Sequence, residues 1–135
     1  MKKLLTIGFS AVFLGAFLIS CSDDDDYTTI ESIDKIKIDS VRIPKDTMNV
    51  FSVQSIRTYS TYPSDCQGFY GYDYIYNSNV MRTVTAYKYL TNGSCTQANH
   101  VGANQINFSP QQKGTYTFKF WNGANNWITK TIVVK

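Results

Sequence analysis

Side chains suited to covalent or acid–base chemistry are few in this 135-residue chain. The cysteines are Cys21, Cys66 and Cys95, and the one histidine, His100, has an Asn just before it and a Gly two residues after it, a context typical of a solvated loop. The six carboxylates beyond residue 26 stand singly, at spacings that do not suggest a glycosidase pair. No nucleophile, phosphate-loop or metal motif appears in the sequence. We therefore predict no catalytic residue, no metal ligand and no cofactor, and a protein that is not an enzyme.

A row of alternating tyrosines is the most informative pattern for binding. Residues two apart in a regular strand share one face, so four rings are predicted to project together: Tyr70, Tyr72, Tyr74 and Tyr76. Two interpretations stay open. Either these rings pack into the core with their hydroxyl groups at its rim, or some of them stand outward as a platform for a sugar ring or a partner's side chain.

The elements that must position these residues begin with an N-terminal secretion signal. Lys2 and Lys3 supply a short positive region, and residues 4–19 carry no charge. That stretch is too short for a membrane-spanning helix, which needs about 20 residues, but it suits the apolar region of a signal peptide. We therefore expect a cleaved signal rather than a spanning helix.

The cysteine after this segment has a recognisable context. The segment ends in Leu18, Ile19, Ser20 and Cys21, which resembles the lipobox of bacterial lipoproteins, with a hydrophobic residue three before the cysteine and a small one just before it. The resemblance implies that residues 1–20 are the signal peptide and that Cys21 is lipidated, because a thiolate is the nucleophile that takes the lipid. Several acyl chains then make the membrane anchor stable.

An acidic run follows the cysteine: Ser22, Asp23, Asp24, Asp25 and Asp26. Adjacent like charges repel and stay solvated, so residues 21–26 are predicted to form a disordered tether. The run resembles the export signal of Bacteroidota-type surface lipoproteins, which implies a lipid-anchored protein of the cell outer membrane that faces the exterior. The alternative is a solubilising spacer in a lipoprotein that faces the periplasm.

The net charge of +3 is the sum over three segments: the signal peptide, the tether and the domain. Lys2 and Lys3 leave with the signal, and four aspartates belong to the tether, so residues 27–135 keep 11 basic and 6 acidic side chains. The bases are spread singly, so we expect no nucleic-acid binding, whereas a mildly basic surface suits anionic lipid or polysaccharide. A hydrophobic fraction of 43% and an aromatic fraction of 15% exclude a disordered tail, a coiled coil and a collagen.

Residues 27–135 are predicted to form one all-β domain. Segments rich in β-branched and aromatic residues alternate with turn residues, which gives seven predicted strands: residues 36–43, 48–59, 69–76, 80–90, 105–108, 115–121 and 127–134. The alternation changes phase near Asp39 and Ser40, which predicts a β-bulge. Thr28 and Glu31 have the spacing of a capping box, so at most one helical turn is expected there.

The last quarter of the chain carries a family resemblance. Gly114 and Tyr116 open the penultimate predicted strand, which looks like the E–F corner of immunoglobulin-like and similar bacterial extracellular domains. The resemblance implies an immunoglobulin-like antiparallel β-sandwich of about seven strands, in which the Tyr116 hydroxyl bonds an upstream backbone carbonyl. It also implies an inward-facing set of side chains: Phe118, Phe120, Ile128, Ile132 and Val134. Phe118 stands where antibody domains have a cysteine, so the resemblance implies the fold but not an immune function. A small closed barrel is the alternative.

Cys66 and Cys95 remain once Cys21 is lipidated, and an exported protein meets an oxidising compartment. Both have turn-like neighbours and lie beyond the open end of the hairpin predicted around residues 77–79. We therefore predict a disulfide that closes a ring of about thirty residues. A catalytic or metal-binding thiol pair is the alternative, but the spacing without a nearby histidine is not a zinc pattern.

Two short motifs and the overall pattern complete the prediction. Ser40 and Thr47 each stand between an aspartate and an apolar residue, which resembles the O-glycosylation motif of Bacteroidota-type exported proteins.

The whole pattern predicts a surface-exposed lipoprotein whose β-sandwich is a non-catalytic binding, adhesion or accessory module for a glycan or an envelope protein. The alternative is a periplasm-facing structural or inhibitor-like lipoprotein.

Overall fold

The computed structural model describes residues 28–135. The predicted signal peptide (1–20), the predicted lipid anchor Cys21 and the acidic tether through Asp26 lie outside these residues, so they stay predictions. Within the described range, no helix has the length and the apolar character that crossing a membrane requires.

The described chain is all-β, as predicted. Its strands are, in chain order, β1 (Ile30–Ile36), β2 (Ser40–Arg42), β3 (Thr47–Met48), β4 (Gln54–Tyr62), β5 (Gln67–Tyr76), β6 (Met81–Thr91), β7 (His100–Phe108), β8 (Gly114–Trp121) and β9 (Trp127–Val134). All nine overlap the seven predicted segments, because two of those segments each cover parts of two strands. The predicted segment 36–43 covers the end of β1 and all of the three-residue β2, and the predicted segment 48–59 covers Met48 of the two-residue β3 and most of β4.

The strands form two sheets. The small sheet has the order β2–β4–β7, and the large sheet contains the other six strands. In the large sheet, one edge of β6 pairs with β5. The other edge of β6 is shared by two strands: residues 81–84 of β6 pair with β8, and residues 86–91 of β6 pair with β1. Strands β9 and β3 lie beyond β8. Two separate sheets make a sandwich and not the closed barrel that was the alternative.

The sandwich is not purely antiparallel, which corrects one part of the prediction. Strand β8 runs parallel to β6, and β3 runs parallel to β9, whereas the other strand pairs are antiparallel. Parallel neighbours need a long connection, and here β7 and its flanking loops link β6 to β8. The central strand β6 therefore depends on partners that lie far away in the sequence.

The core lies between the two sheets and contains the aromatic and aliphatic side chains predicted for it. Phe118 and Phe120 of β8 are fully buried, Ile132 and Val134 of β9 are buried, and Ile128 packs against them. This alternation follows from the two-residue period of a strand. Each fully buried side chain of this kind contributes about 1.5–3 kcal/mol to stability.

One predicted strand differs from the structure, whereas the expectation of at most one helical turn at residues 28–31 is met. No helical turn forms at residues 28–31, because β1 begins at Ile30 and pairs with β6. The predicted strand 48–59 is split between β3 and β4. Between them, Phe51 has a φ of 60°, which is a left-handed conformation outside the β region.

The phase change near Asp39 marks a crossing between the sheets and not the predicted bulge. The Ile38 N–H donates to the Trp121 carbonyl of β8 at 2.9 Å, and the next N–H, of Asp39, donates to the Tyr59 carbonyl of β4 at 2.7 Å. The chain thus leaves the large sheet and enters the small one within two residues. Because the core lies on opposite sides of the two sheets, the alternate residues that face the core shift by one position at this point.

Tyr116 makes the corner contact that the sequence motif predicts. Its hydroxyl donates to the Gln112 carbonyl at 2.9 Å, and its ring is buried. The ring also meets that of Phe108 edge-on, with centroids 5.0 Å apart. The hydrogen bond therefore fixes the turn ahead of β8 against the core.

Replacing Tyr116 by phenylalanine is expected to lower the free energy of unfolding by about 1 kcal/mol, because the ring stays and only the hydroxyl bond is lost. Urea denaturation of both proteins measures the difference. Tyr70→Phe is the matched control, since Tyr70 is 54% exposed and should change stability by about 0.5 kcal/mol or less. An unchanged midpoint in Tyr116→Phe contradicts the corner role.

Cys66 and Cys95 form the predicted disulfide, with their Cα atoms 5.4 Å apart. Cys66 directly precedes β5, and Cys95 follows β6, so the bond closes the open end of this hairpin. The hairpin turn lies at the opposite end, between residues 76 and 81. The disulfide and the turn thus lie at opposite ends of the sandwich.

Candidate functional site

The tyrosine row does not keep to one face. The register between β5 and β6 shifts around Tyr70, because a β-bulge inserts an unpaired residue there. Tyr70 is 54% exposed and falls outside the row, which corrects the prediction of a common face for all four rings. Tyr72 and Tyr74 are half-buried, and Tyr76 reaches the rim, where it is 69% exposed.

Tyr72 ties the two sheets together. Its hydroxyl shares a hydrogen bond of 2.5 Å with the hydroxyl of Thr58, a buried residue of β4. Its ring lies 4.7 Å from that of Phe69, measured between centroids. For this one ring, the position corresponds to the core interpretation of the tyrosine row.

A cleft opens where the two sheets part. Strands β5 and β7 lie at the edges of their sheets, and the space between them is a cleft of about 920 Å³. Tyr74 and Tyr76 line it from β5, and Gln105 and Asn107 line it from β7. Its volume is within the range of small-molecule sites, about 300–1,000 Å³.

Neutral polar groups dominate the lining of this cleft. Five of the lining residues carry amide side chains: Asn79, Gln105, Asn107, Gln111 and Gln112. Each amide offers both hydrogen-bond donors and an acceptor. Asp73, the carboxylate of β5, is exposed and alternates with the lining tyrosines, so it lies on the other face of the strand. The cleft therefore suits a ligand that is rich in hydroxyl groups.

Arg82 is the one charged side chain in the lining, and it is only 7% exposed. Its Nη1 donates to the carbonyl groups of Ser78 at 2.6 Å and Met81 at 3.0 Å. Its Nη2 donates to the Asn79 carbonyl at 3.1 Å. These three bonds hold the hairpin turn between β5 and β6 against the guanidinium.

No carboxylate within residues 28–135 forms a salt bridge with Arg82; the one salt bridge in this range joins Lys37 and Asp39. The guanidinium faces aromatic rings instead. Its carbon lies 4.1 Å from the ring centroid of Tyr76 and 5.7 Å from that of Tyr116, close enough for cation–π attraction. The Nε atom is buried and has no hydrogen-bond partner.

Tyr74 lies beside this charge and stays neutral. Burial raises the pKa of Tyr74 from its usual 10.0 to about 12, although the positive charge of Arg82 acts in the opposite direction. The hydroxyl is therefore protonated at neutral pH. It can both donate and accept a hydrogen bond in the cleft.

The titration of the tyrosines is expected to include a resonance that changes near pH 12 and is missing in Tyr74→Phe. Because the folded pKa is higher than the unfolded value of 10.0, the unfolded chain loses this proton first as the pH rises. The stability that Tyr74 contributes is therefore complete below about pH 10 and is lost as the pH rises through 12. NMR of protein with ¹³C-labelled tyrosine measures this, and a Tyr74 resonance titrating at the usual value contradicts its burial.

His100 is the first residue of β7 and not part of a loop, which corrects the sequence prediction. Its ring stacks on that of Tyr62, with centroids 5.2 Å apart. The two residues are also direct partners in the pairing of β4 with β7. This exposed histidine therefore covers a core ring at the disulfide end of the sandwich.

The disulfide removes one candidate set of metal ligands. A carboxylate oxygen of Asp65 lies within 4.8 Å of the sulfur atoms of Cys66 and Cys95. Because these sulfurs are bonded to each other, neither is a thiolate, which is the form that binds zinc. Asp65 instead accepts a hydrogen bond from the Thr96 N–H at 2.8 Å, which holds the loop that carries Cys95.

The two predicted O-glycosylation residues each begin a short strand. Ser40 begins β2 and Thr47 begins β3, and both are exposed. A modifying enzyme can therefore reach them. Their modification stays a prediction, which mass spectrometry of the native protein tests as hexose-sized additions.

No family model matches the chain, and no curated protein or solved structure matches it either. A fold shared by many unrelated proteins does not define a function. The chemistry of the cleft is therefore the best guide to the function of this chain.

The sequence patterns identify only part of this cleft. The tyrosine row includes Tyr74 and Tyr76, but the sequence prediction misses Arg82 and the amide side chains. In β6, Arg82 is in phase with Val84 and Ala86, which are both buried. A charged residue on the buried phase of a strand is rare, and it is the signal that could have revealed this site.

Proposed function

We propose that this chain is a non-catalytic binding module of the cell envelope and that its ligand is a glycan. The observation that carries the proposal is the cleft between β5 and β7, which is lined by Tyr74, Tyr76 and five residues with amide side chains. Aromatic rings offer rigid apolar faces for the CH groups of a sugar ring. Amide side chains supply donors and acceptors for its hydroxyl groups.

We also infer that the sandwich is a variant of the immunoglobulin-like fold. The corner contact of Tyr116 supports this inference. In the immunoglobulin arrangement, strand C, which follows strand B across to the second sheet, lies beside the corner strand F. Here β5 follows β4 across to the large sheet but lies at its edge, and the next strand, β6, lies beside β8. This difference frees β5 to form one wall of the cleft.

We propose further that the protein is a lipoprotein of the outer membrane, anchored through Cys21 and facing the exterior. The lipobox-like residues 18–21 and the acidic run after them support this location. The fold adds a geometrical argument. The chain enters the sandwich at Ile30, which pairs with Thr91 at the end of β6, whereas Arg82 lies near its start. At about 3.3 Å per residue these two ends of β6 are about 30 Å apart. A tether of this kind therefore leaves the cleft mouth, which is the end of the cleft that contains Arg82, on the side away from the membrane.

A glycan array tests the binding function. The purified full-length protein is expected to bind a defined set of polysaccharides, and Tyr76→Ser is expected to weaken that binding by about tenfold or more. Because Tyr76 is 69% exposed, this variant should keep the Tm of the wild type. Tyr70→Ser is the matched control on the same strand, away from the cleft. Equal losses in the two variants, or no glycan bound on the array, contradict the proposal.

Two measurements on cells test the location. Labelled palmitate is expected in the wild-type protein and not in Cys21→Ala. Protease added to intact cells is expected to digest the protein. Complete protection from the protease would favour the periplasm-facing structural or inhibitor-like lipoprotein, and label in Cys21→Ala would exclude the anchor.

A further inference from the structure

We propose that Arg82 is the anion-binding residue of the cleft and that the glycan ligand carries a carboxylate or a sulfate group. The inference rests on the proposed glycan binding and adds the charge of the ligand to it. It is carried by a buried guanidinium that lines an otherwise uncharged cleft and has no anionic partner within the described residues.

The positive charge of Arg82 is not balanced by an opposite charge within the described residues. Removing a charge from water is costly unless an opposite charge or hydrogen bonds replace the lost hydration. Arg82 is 7% exposed, and the groups that surround it are backbone carbonyls and aromatic rings, all of which are neutral. The wall of the cleft therefore keeps an unbalanced positive charge, which an anion in the cleft would neutralise.

The protein does not use all the hydrogen-bond donors of Arg82. A guanidinium carries five N–H groups; three hydrogen bonds from Arg82 go to the carbonyl groups of the hairpin turn, and the Tyr74 side chain is a further hydrogen-bond partner. The Nε–H has no partner and is buried, and the guanidinium carbon lies 4.1 Å from the exposed ring of Tyr76, so an anion reaches this N–H when that ring moves aside. Nε–H and one N–H of Nη2 lie along the same edge of the planar group, an arrangement that suits two parallel hydrogen bonds to a carboxylate or a sulfate.

A purely structural role of Arg82 does not account for its unbalanced charge or for its unpartnered Nε–H. The bonds to Ser78, Met81 and Asn79 stabilise the hairpin turn, and a purely structural arginine would do only this. Such a residue would give the protein no preference between charged and uncharged ligands. The charge preference of the cleft therefore separates the two roles.

The test is isothermal titration calorimetry of the full-length protein with two matched pairs of oligosaccharides. One pair is an oligo-uronate and the same oligosaccharide with its carboxyl groups reduced to alcohols. The other is a sulfated oligosaccharide and its desulfated form. The acidic member of one pair is expected to bind about 10- to 100-fold more tightly than its neutral partner, and the pair that responds identifies the anionic group. Equal affinities within both pairs overturn the role of Arg82 but leave glycan binding intact, whereas no binding to any glycan overturns the proposed function as well.

Variants assign the preference to one residue. Arg82→Gln is expected to remove the preference for the acidic member, so that the acidic and the neutral oligosaccharide of a pair bind with equal affinity. Arg42→Gln is the matched control, because Arg42 is an exposed arginine of β2 outside the cleft. A preference that survives in Arg82→Gln, or that falls equally in Arg42→Gln, overturns the proposal.

NMR of the wild type gives a readout that does not depend on how the variant folds. Arg82→Gln also removes the hydrogen bonds to the hairpin turn, so a direct observation of the guanidinium is needed. In ¹⁵N-labelled protein, the Nε–H resonance of Arg82 is expected to shift when the preferred acidic oligosaccharide is added and to stay in place with its neutral partner. An Nε–H resonance that does not respond to the acidic member overturns the proposal.

Discussion

Replacing Phe118 by alanine is expected to lower the free energy of unfolding by about 3–5 kcal/mol. Phe118 is fully buried; its ring meets Phe108 edge-on at 5.0 Å and stacks with Phe120 at 6.2 Å between centroids. Alanine removes these contacts and leaves a cavity that the strands can fill only in part. The loss is large beside the total stability of a small domain, which is about 5–15 kcal/mol.

Urea denaturation measures this loss as a lower midpoint at an unchanged slope. Lys119→Ala is the matched control, since Lys119 is the next residue of β8 and is exposed, and it should change stability by about 0.5 kcal/mol or less. A loss below about 1 kcal/mol in Phe118→Ala would show that the core is not packed around this ring.

The double variant Cys66→Ala, Cys95→Ala is expected to lose about 3–4 kcal/mol of unfolding free energy. The disulfide joins residues 29 apart in the sequence and encloses the whole β5–β6 hairpin, so its removal lets the unfolded chain adopt many more conformations. Glycan affinity should be unchanged wherever the variant is folded, because the disulfide and the cleft mouth lie at opposite ends of the hairpin.

Thermal unfolding with and without a reducing agent checks this result. The reduced wild type should unfold at nearly the temperature of the double variant, and the double variant should not respond to the reducing agent. A double variant as stable as the oxidised wild type would mean that the bond adds nothing to stability. Loss of glycan binding in the folded variant would mean that the hairpin transmits strain to the cleft.

Local patterns in the sequence predict the features that depend on neighbouring residues. Phe118 and Phe120 face the core because a strand has a period of two, and Tyr116 follows from a short motif at the start of β8. The disulfide follows from the number of cysteines and from the turn residues around Cys66 and Cys95. None of these predictions requires knowledge of which strand lies beside which.

The features that the sequence does not predict depend on partner strands. The bulge at Tyr70 exists only in relation to β6, and the phase change at Asp39 has the same sequence pattern whether it marks a bulge or a crossing between sheets. The cleft combines residues of β5, β6, β7 and β8. Arg82 is one of several bases spread singly along the sequence, and only the pairing of β6 with β8 brings it beside Tyr116.

The pairing of β1 with the second half of β6 has a consequence for the order of folding. The β5–β6 and β8–β9 hairpins join strands that are adjacent in the sequence, and such local contacts form quickly. Strand β1 is synthesised first, but Ile36 pairs with Ala86, so the edge of β1 stays unpaired until β6 has been made. Unpaired strand edges aggregate unless charged side chains interrupt them, and β1 contains Glu31, Asp34 and Lys35. We therefore expect these three charges to limit the aggregation of the incomplete chain.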